Sequence, residues 1–175
     1  YANRIGDGKL TIDGQTYQLP QNNGTHCLHG GPKGWQNLPW DAKQIDEQTL
    51  KLTIVSPDGD SNFPGKVDAS VTYTLTNDNA IKIDYAATTD KKTVVNMTNH
   101  SYFNLNGNPA KEAMDHVLYI AGDNITPIDE TFATTGEYMA VAGTPFDFNT
   151  PKVLSKDINA ENDQIKYGIG FDHNW

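Results

Sequence analysis

The segment Thr93–Leu105 carries the side chains best suited to acid–base chemistry. It contains the β-branched and aromatic residues that favour a strand. Alternate residues of a strand share one face, which here would carry Asn96, Thr98, His100, Tyr102 and Asn104. The imidazole in the middle of this row can give and take a proton near neutral pH. The row suits a cleft for a hydrogen-bonding ligand, and it equally suits a strand edge or a histidine satisfied in the interior.

A second histidine stands in a glycine-rich stretch. His29 is followed by Gly30 and Gly31, which allow a backbone to approach a ligand closely or to adopt positive φ. A plain surface loop explains the same residues. The stretch is not a phosphate-binding loop, because that motif needs a strand, GxxxxGK[ST] and a helix in order.

Two short polar pairs, Asn3-Arg4 and Asp172-His173, lie near the two ends of the sequence. The planar guanidinium of Arg4 offers a fork of donors that suits oxygen-rich ligands. Taken alone, neither pair predicts a site.

The histidines also allow a test for a metal site. His26 and His29, with a third histidine, could in principle bind zinc. Their spacing is not that of a known zinc motif, and glycine-rich flanks do not hold ligands rigidly. We therefore expect no metal and no organic cofactor.

The elements that must position these residues are mostly strands. The stretches 10–12 and 17–19 flank Asp13-Gly14, a dipeptide that tolerates a tight primed turn. Residues 67–75 alternate between apolar and polar side chains, and 81–85 do the same after Asn77-Asp78-Asn79, which predicts an antiparallel hairpin. Further strands are expected around Leu52–Ile54 and over 116–121.

Helical periodicity is nearly absent, and its best window, 154–165, is weak. Short strands with Gly, Pro and Asn between them are typical of an all-β sandwich or barrel. The stretches 20–40 and 56–65 are expected to be long loops, where function often resides.

Composition excludes several classes of function. The chain has 175 residues, which fits one domain or part of a larger one, and its net charge is −9. Nucleic-acid binders usually carry a basic patch, and none is visible. No apolar run approaches the roughly 18 residues of a membrane-spanning helix. The single cysteine, Cys27, excludes an internal disulfide and fits a reducing compartment. We expect a cytoplasmic protein that binds neither nucleic acid nor membranes.

Eight motifs in order along the chain resemble one family, the aldose 1-epimerases (galactose mutarotases). They are YANRI at 1–5, LHGGPKG at 28–34, SPDG at 56–59, FPG at 63–65, VTYTL at 71–75, TNHSYFNL at 98–105, GTPFDF at 143–148 and FDHN at 171–174. One such motif would be weak, whereas eight in family order are specific.

The resemblance implies an all-β, galactose-mutarotase-like β-sandwich (supersandwich) whose concave face holds a sugar. It implies interconversion of the α and β anomers of free aldohexoses such as galactose and glucose. His100 would be the general acid and His29 a second catalytic histidine at the ring. Arg4 and Asp172 would hydrogen-bond sugar hydroxyls, Asn3 would lie beside Arg4, and Tyr102 would help to position the ligand.

The resemblance also implies that residues 1–175 are part of a single domain truncated at both ends, lacking N-terminal strands and the C-terminal third. The family's general base is a glutamate beyond the FDHN motif, and the five glutamates here do not match its context. We therefore expect this chain alone to lack most of its activity and to self-associate through exposed strand edges. Two alternatives remain open: a sugar-binding module without turnover, and an epimerase-like enzyme acting on sugar phosphates, for which Arg4 and Lys33 are the obvious cations.

Overall fold

A computed structural model describes residues 1–175, which form strands, loops and one short α-helix. Two compact units follow one another along the chain, Tyr1–Asn99 and His100–Trp175. The prediction of a single domain stays a prediction. None of the helices has the length and apolar character needed to cross a membrane.

The first unit contains eight strands. They are β1 (Arg4–Ile5), β2 (Lys9–Ile12), β3 (Gln15–Gln18), β4 (Cys27–Leu28), β5 (Asp41–Gln44), β6 (Thr49–Ser56), β7 (Val67–Leu75) and β8 (Ile81–Thr89). β5 to β8 form an antiparallel sheet in sequence order, β1 pairs with β4, and β2 pairs with β3. Short 3-10 helices lie at Gly6–Gly8, Trp35–Asn37 and Asp60–Asn62.

The predicted hairpin near the start of the chain is confirmed. β2 and β3 are joined by Asp13 and Gly14, whose φ angles are 50° and 80°. Positive φ at both central residues is what a type I′ turn requires, and Asp-Gly meets that requirement at little cost.

The alternation over 67–75 and 81–85 is also confirmed as a β7–β8 hairpin. Val67, Ala69 and Val71 are buried, and Trp35 packs against the first two. At the far end of the same face, Leu75 is 54% exposed. The apolar face of the sheet is therefore covered at one end only.

The second unit contains four two-residue strands. They are β9 (Val117–Leu118), β10 (Asn124–Ile125), β11 (Met139–Ala140) and β12 (Lys152–Val153). β9 pairs with β12 and β10 with β11, around a core of Ile125, Val141, Phe146 and Ile165. The strand expected over 116–121 is thus only two residues long.

The weak helical window of 154–165 contains a 3-10 helix at Leu154–Lys156 and the start of α1, which spans Asp163–Gly168. Another 3-10 helix lies outside this window, at Ala113–Asp115. Asn162 caps α1, its side chain accepting a hydrogen bond from the Gln164 N–H at 2.9 Å.

The predicted strand over Thr93–Leu105 is wrong, because no strand lies between the end of β8 at Thr89 and the start of β9 at Val117. The shared face inferred for His100 and its alternate neighbours is therefore not supported. Two-residue alternation describes side-chain polarity, whereas a strand also needs a partner whose backbone completes the ladder. The boundary between the two units falls inside this segment, after Asn99.

Candidate functional site

Three of the expected site residues, Asn3, Arg4 and His29, lie together in the first unit. The β1–β4 pairing sets Arg4 opposite Leu28, so the residues next to that pair, Asn3 and His29, also meet. The His29 N–H donates to the Asn3 carbonyl oxygen at 3.1 Å, and the Asn3 N–H donates to His29 Nδ1 at 3.2 Å.

Two main-chain groups face the same nitrogen of the half-buried His29 ring. Nδ1 lies 3.2 Å from the Asn3 N–H, which donates, and 3.3 Å from the Tyr1 carbonyl oxygen, which accepts. Each neutral tautomer can make one of these two hydrogen bonds. The main chain at Tyr1 and Asn3 therefore orients the imidazole in either tautomer.

Both residues of this contact have an unusual backbone. Asn3 has φ of 61° and His29 has φ of 50°, in the left-handed region that non-glycine residues seldom adopt. Asparagine and histidine enter this region more readily than most non-glycine residues, as Asp13 does in the β2–β3 turn. The left-handed backbone of both residues lies at the place where the sequence predicted a ligand.

The Arg4 side chain is held by amide oxygens. Its Nε donates to Asn23 Oδ1 at 2.9 Å, and Asn3 Oδ1 accepts from the Arg4 N–H at 2.8 Å and from a terminal guanidinium nitrogen at 3.5 Å. Sequence analysis missed Asn23, which it recorded only as part of a loop. No spacing rule connects positions 4 and 23.

His100 and Tyr102 lie together in the second unit. Their ring centroids are 5.2 Å apart with planes inclined by 47°, and Tyr102 is 91% exposed. The chain just beyond is anchored to a neighbouring turn: the Leu105 N–H donates to His116 Nε2 at 2.8 Å and Asn104 Nδ2 donates to the Lys111 carbonyl oxygen at 2.7 Å.

Asp172 is exposed in the same unit, and its two neighbours anchor it. Phe171 packs edge-on against Phe146 at 5.6 Å, and His173 packs against the same ring at 4.5 Å. An exposed carboxylate on a backbone fixed at both sides is suited to hydrogen bonding with hydroxyl groups.

His173, to which the sequence assigned no role, is part of a half-buried hydrogen-bond network. Its Nε2 donates to Gln164 Oε1 at 3.1 Å, while Gln164 bonds both backbone groups of Ile128 at 2.8 Å and 2.9 Å. The Nδ1 atom is buried without a hydrogen-bond partner, which fits an unprotonated acceptor. Burial lowers the pKa of His173, so the ring is neutral at neutral pH.

The histidines considered for metal binding do not form a cluster with other ligands. His26 is buried, and its Nδ1 accepts from the Asp7 N–H at 3.1 Å. No group of three or more His, Cys, Asp or Glu side chains in the structure could hold a metal ion.

Comparison with known proteins places these residues in a family. The aldose 1-epimerase family profile matches residues 1–175. The chain belongs to the aldose 1-epimerase family. It is 42% identical over 173 residues to an aldose 1-epimerase of Escherichia coli K12, covering 99% of this chain and 49% of that protein. It is 40% identical over 174 residues to the galactose mutarotase of Sus scrofa, with 99% and 49% covered.

A solved structure confirms the fold class of this aldose 1-epimerase family member. The galactose 1-epimerase of Lactobacillus acidophilus superposes with a TM-score of 0.89 at 34% identity, covering 98% of this chain and 51% of that one. The all-β, galactose-mutarotase-like fold and the family resemblance are both confirmed. The chain spans about half the length of the curated relatives it matches.

Proposed function

We propose that this chain supplies sugar-binding and acid groups for the interconversion of α and β anomers of free aldohexoses, galactose and glucose among them. The observation that carries the proposal is the cluster of Asn3, Arg4 and His29. It presents a guanidinium and an imidazole that are both held by hydrogen bonds, in a chain of the aldose 1-epimerase family. Hydrogen-bonding groups that are held in place in this way are suited to bind the hydroxyl groups of a sugar.

The chemistry assigns a role to each residue. Mutarotation requires one proton to be given to the ring oxygen and another to be taken from the anomeric hydroxyl. The ring opens, the aldehyde turns about the C1–C2 bond, and the ring closes on the other face. We assign protonation of the ring oxygen to His100, because an imidazole exchanges protons near neutral pH.

The remaining residues bind the sugar. His29 is assigned as a second histidine at the sugar ring, its imidazole held through Nδ1 by the main chain. Arg4 and Asp172 are assigned to sugar hydroxyls, Asn3 supports Arg4, and Tyr102, beside His100, helps to position the ligand.

Polarimetry of freshly dissolved α-D-galactose and α-D-glucose tests the catalytic role. A single positioned acid typically contributes about 10²–10⁴ in rate. We expect residues 1–175 alone to retain little activity, since the family's general base is not among them. In the full-length protein, which supplies that base, we expect His100→Ala to lower the rate of mutarotation by a factor in this range. Glu130→Ala, which removes an exposed charge in the same unit, is the control and should leave the rate unchanged. An active chain whose rate is insensitive to His100→Ala would contradict the assignment of the acid.

Calorimetry separates catalysis from binding alone. Galactose that binds without any increase in the rate of mutarotation would favour a sugar-binding module. The cluster around Arg4 would then remain the binding site, while the role of His100 as acid would be withdrawn.

We also propose that the protein is cytoplasmic and associates with copies of itself rather than with nucleic acid. Buried Cys27, which forms no disulfide, supports the location, and the net charge of −9 argues against nucleic acid. Self-association is supported by the open edge of β8 in its sheet. Cell fractionation tests the location, and recovery in a membrane or secreted fraction would contradict it.

A further inference from the structure

Arg4 is the only arginine of the chain, and two asparagines hold its guanidinium. Its Nε donates to Asn23 Oδ1 at 2.9 Å, and a terminal nitrogen donates to Asn3 Oδ1 at 3.5 Å. We propose that Asn23 is a positioning residue that sets the plane of the Arg4 guanidinium for hydrogen bonding to sugar hydroxyls. The inference rests on the proposed function.

The backbone of Asn23 is itself fixed. Asn23 and His26 form an antiparallel bridge, in which the His26 N–H donates to the Asn23 carbonyl oxygen at 3.0 Å and the Asn23 N–H donates back at 3.2 Å. Gly24 turns the chain between them with φ of 58°, a conformation that glycine adopts without strain. The backbone position from which the Asn23 side chain extends is therefore well defined.

The same turn is fastened to the segment that carries Arg4. The Asn22 side chain accepts from the Leu28 N–H at 2.8 Å and donates to the Leu28 carbonyl oxygen at 3.0 Å. Leu28 is the cross-strand partner of Arg4 in the β1–β4 pair. On the other side, buried His26 accepts from the Asp7 N–H at 3.1 Å. Residues on both sides of Asn23 are thus hydrogen-bonded to the β1–β4 pair and to Asp7, which follows β1. These bonds hold Asn23 at a fixed position relative to Arg4.

The amide of Asn23 suits this role better than a carboxylate. Its oxygen accepts from Nε–H and adds no negative charge of its own next to the guanidinium. A carboxylate would form a charge-assisted pair and draw the guanidinium toward itself. The amide oxygens of Asn23 and Asn3 accept from two different nitrogens of the guanidinium and so orient its plane. The guanidinium keeps its positive charge, which attracts the oxygen atoms of a ligand.

Proton–nitrogen correlation NMR tests the contact directly, since the full chain gives a single arginine Nε–H signal. We expect slow exchange of this proton with water in the wild type and at least tenfold faster exchange in Asn23→Ala. Asn23→Asp, which restores an acceptor oxygen, should restore slow exchange. Thr25→Ala changes an exposed side chain of the same turn and serves as the control.

Calorimetric titration with galactose tests the consequence for binding. We expect Asn23→Ala to raise the Kd about tenfold, equivalent to about 1.4 kcal/mol, and Thr25→Ala to leave it unchanged. An unchanged exchange rate in Asn23→Ala would overturn the inference, as would faster exchange with unchanged galactose affinity. A wild-type chain that binds no galactose would overturn the proposed function, whereas the exchange rates would still decide whether Asn23 holds Arg4.

Discussion

Asn3 and His29 are joined by two reciprocal hydrogen bonds across the β1–β4 pair. Each donates its backbone N–H to the other, at 3.2 Å to the imidazole Nδ1 and at 3.1 Å to the Asn3 carbonyl oxygen. Both backbones are left-handed. The imidazole of His29 is thereby oriented through the main chain of a residue distant in sequence, which makes its position sensitive to backbone changes nearby.

Substitution of Gly34 should displace His29. A Cβ at position 34 would lie 2.2 Å from the His29 carbonyl oxygen, and a backbone atom cannot move away as a flexible side chain would. We expect Gly34→Ala to weaken galactose binding and to lower the free energy of unfolding by about 1–3 kcal/mol, as overpacking does. Calorimetry and denaturant unfolding measure the two effects.

Gly6→Ala is the matched control for this prediction. A Cβ at position 6 meets nothing within 4 Å, and Gly6 is not among the glycines with positive φ. Its stability and galactose affinity should stay close to the wild type. Similar losses in both variants would show that the contact with His29 is not the cause.

Tyr102 should act through its hydroxyl group as well as its ring. Tyr102→Phe keeps the ring beside His100 and removes a donor and acceptor, so we expect a higher KM for galactose with little change in stability. Tyr138→Phe removes the same group from a side chain that is 82% exposed and should have no effect on KM. Polarimetry over a range of galactose concentrations compares the two, and equal KM values would remove Tyr102 from the sugar-binding set.

His173 should make stability depend on pH. Its pKa is lowered by burial, so between that pKa and the ordinary value of 6.5 the unfolded chain binds more protons than the folded one. Stability is therefore complete above the ordinary value and falls as the pH drops below it. Denaturant unfolding at a series of pH values measures this loss, which should be much smaller in His173→Gln.

Self-association should involve the exposed edge of β8. This strand pairs only with β7, and Ile81 at its start is 67% exposed. A free edge with apolar side chains is a template for pairing with another chain. We expect concentration-dependent association in sedimentation velocity, weakened by Ile81→Lys.

Ile169→Lys provides the comparison for this edge. Ile169 is 86% exposed but follows α1 and belongs to no strand. The variant should associate as the wild type does. A chain that sediments as a monomer at all concentrations would contradict the prediction.

The sequence by itself determined the fold class, two hairpins and the family. Asp13-Gly14 can form a primed turn, and the alternation over 67–75 can bury only one face, so local chemistry sufficed there. Eight motifs in order identified the family. Strand periodicity nevertheless assigned the wrong local structure to the motif around His100, because a ladder depends on a partner strand.

Only the tertiary structure decided how the site residues are held. The position of the His29 ring follows from a hydrogen bond across 26 residues, and the orientation of Arg4 follows from one across 19. Such contacts depend on which strands pair, and no spacing along the chain encodes them. The unassigned His173 became informative for the same reason, since burial lowers its pKa and outweighs the opposing effect of the neighbouring Asp172 carboxylate.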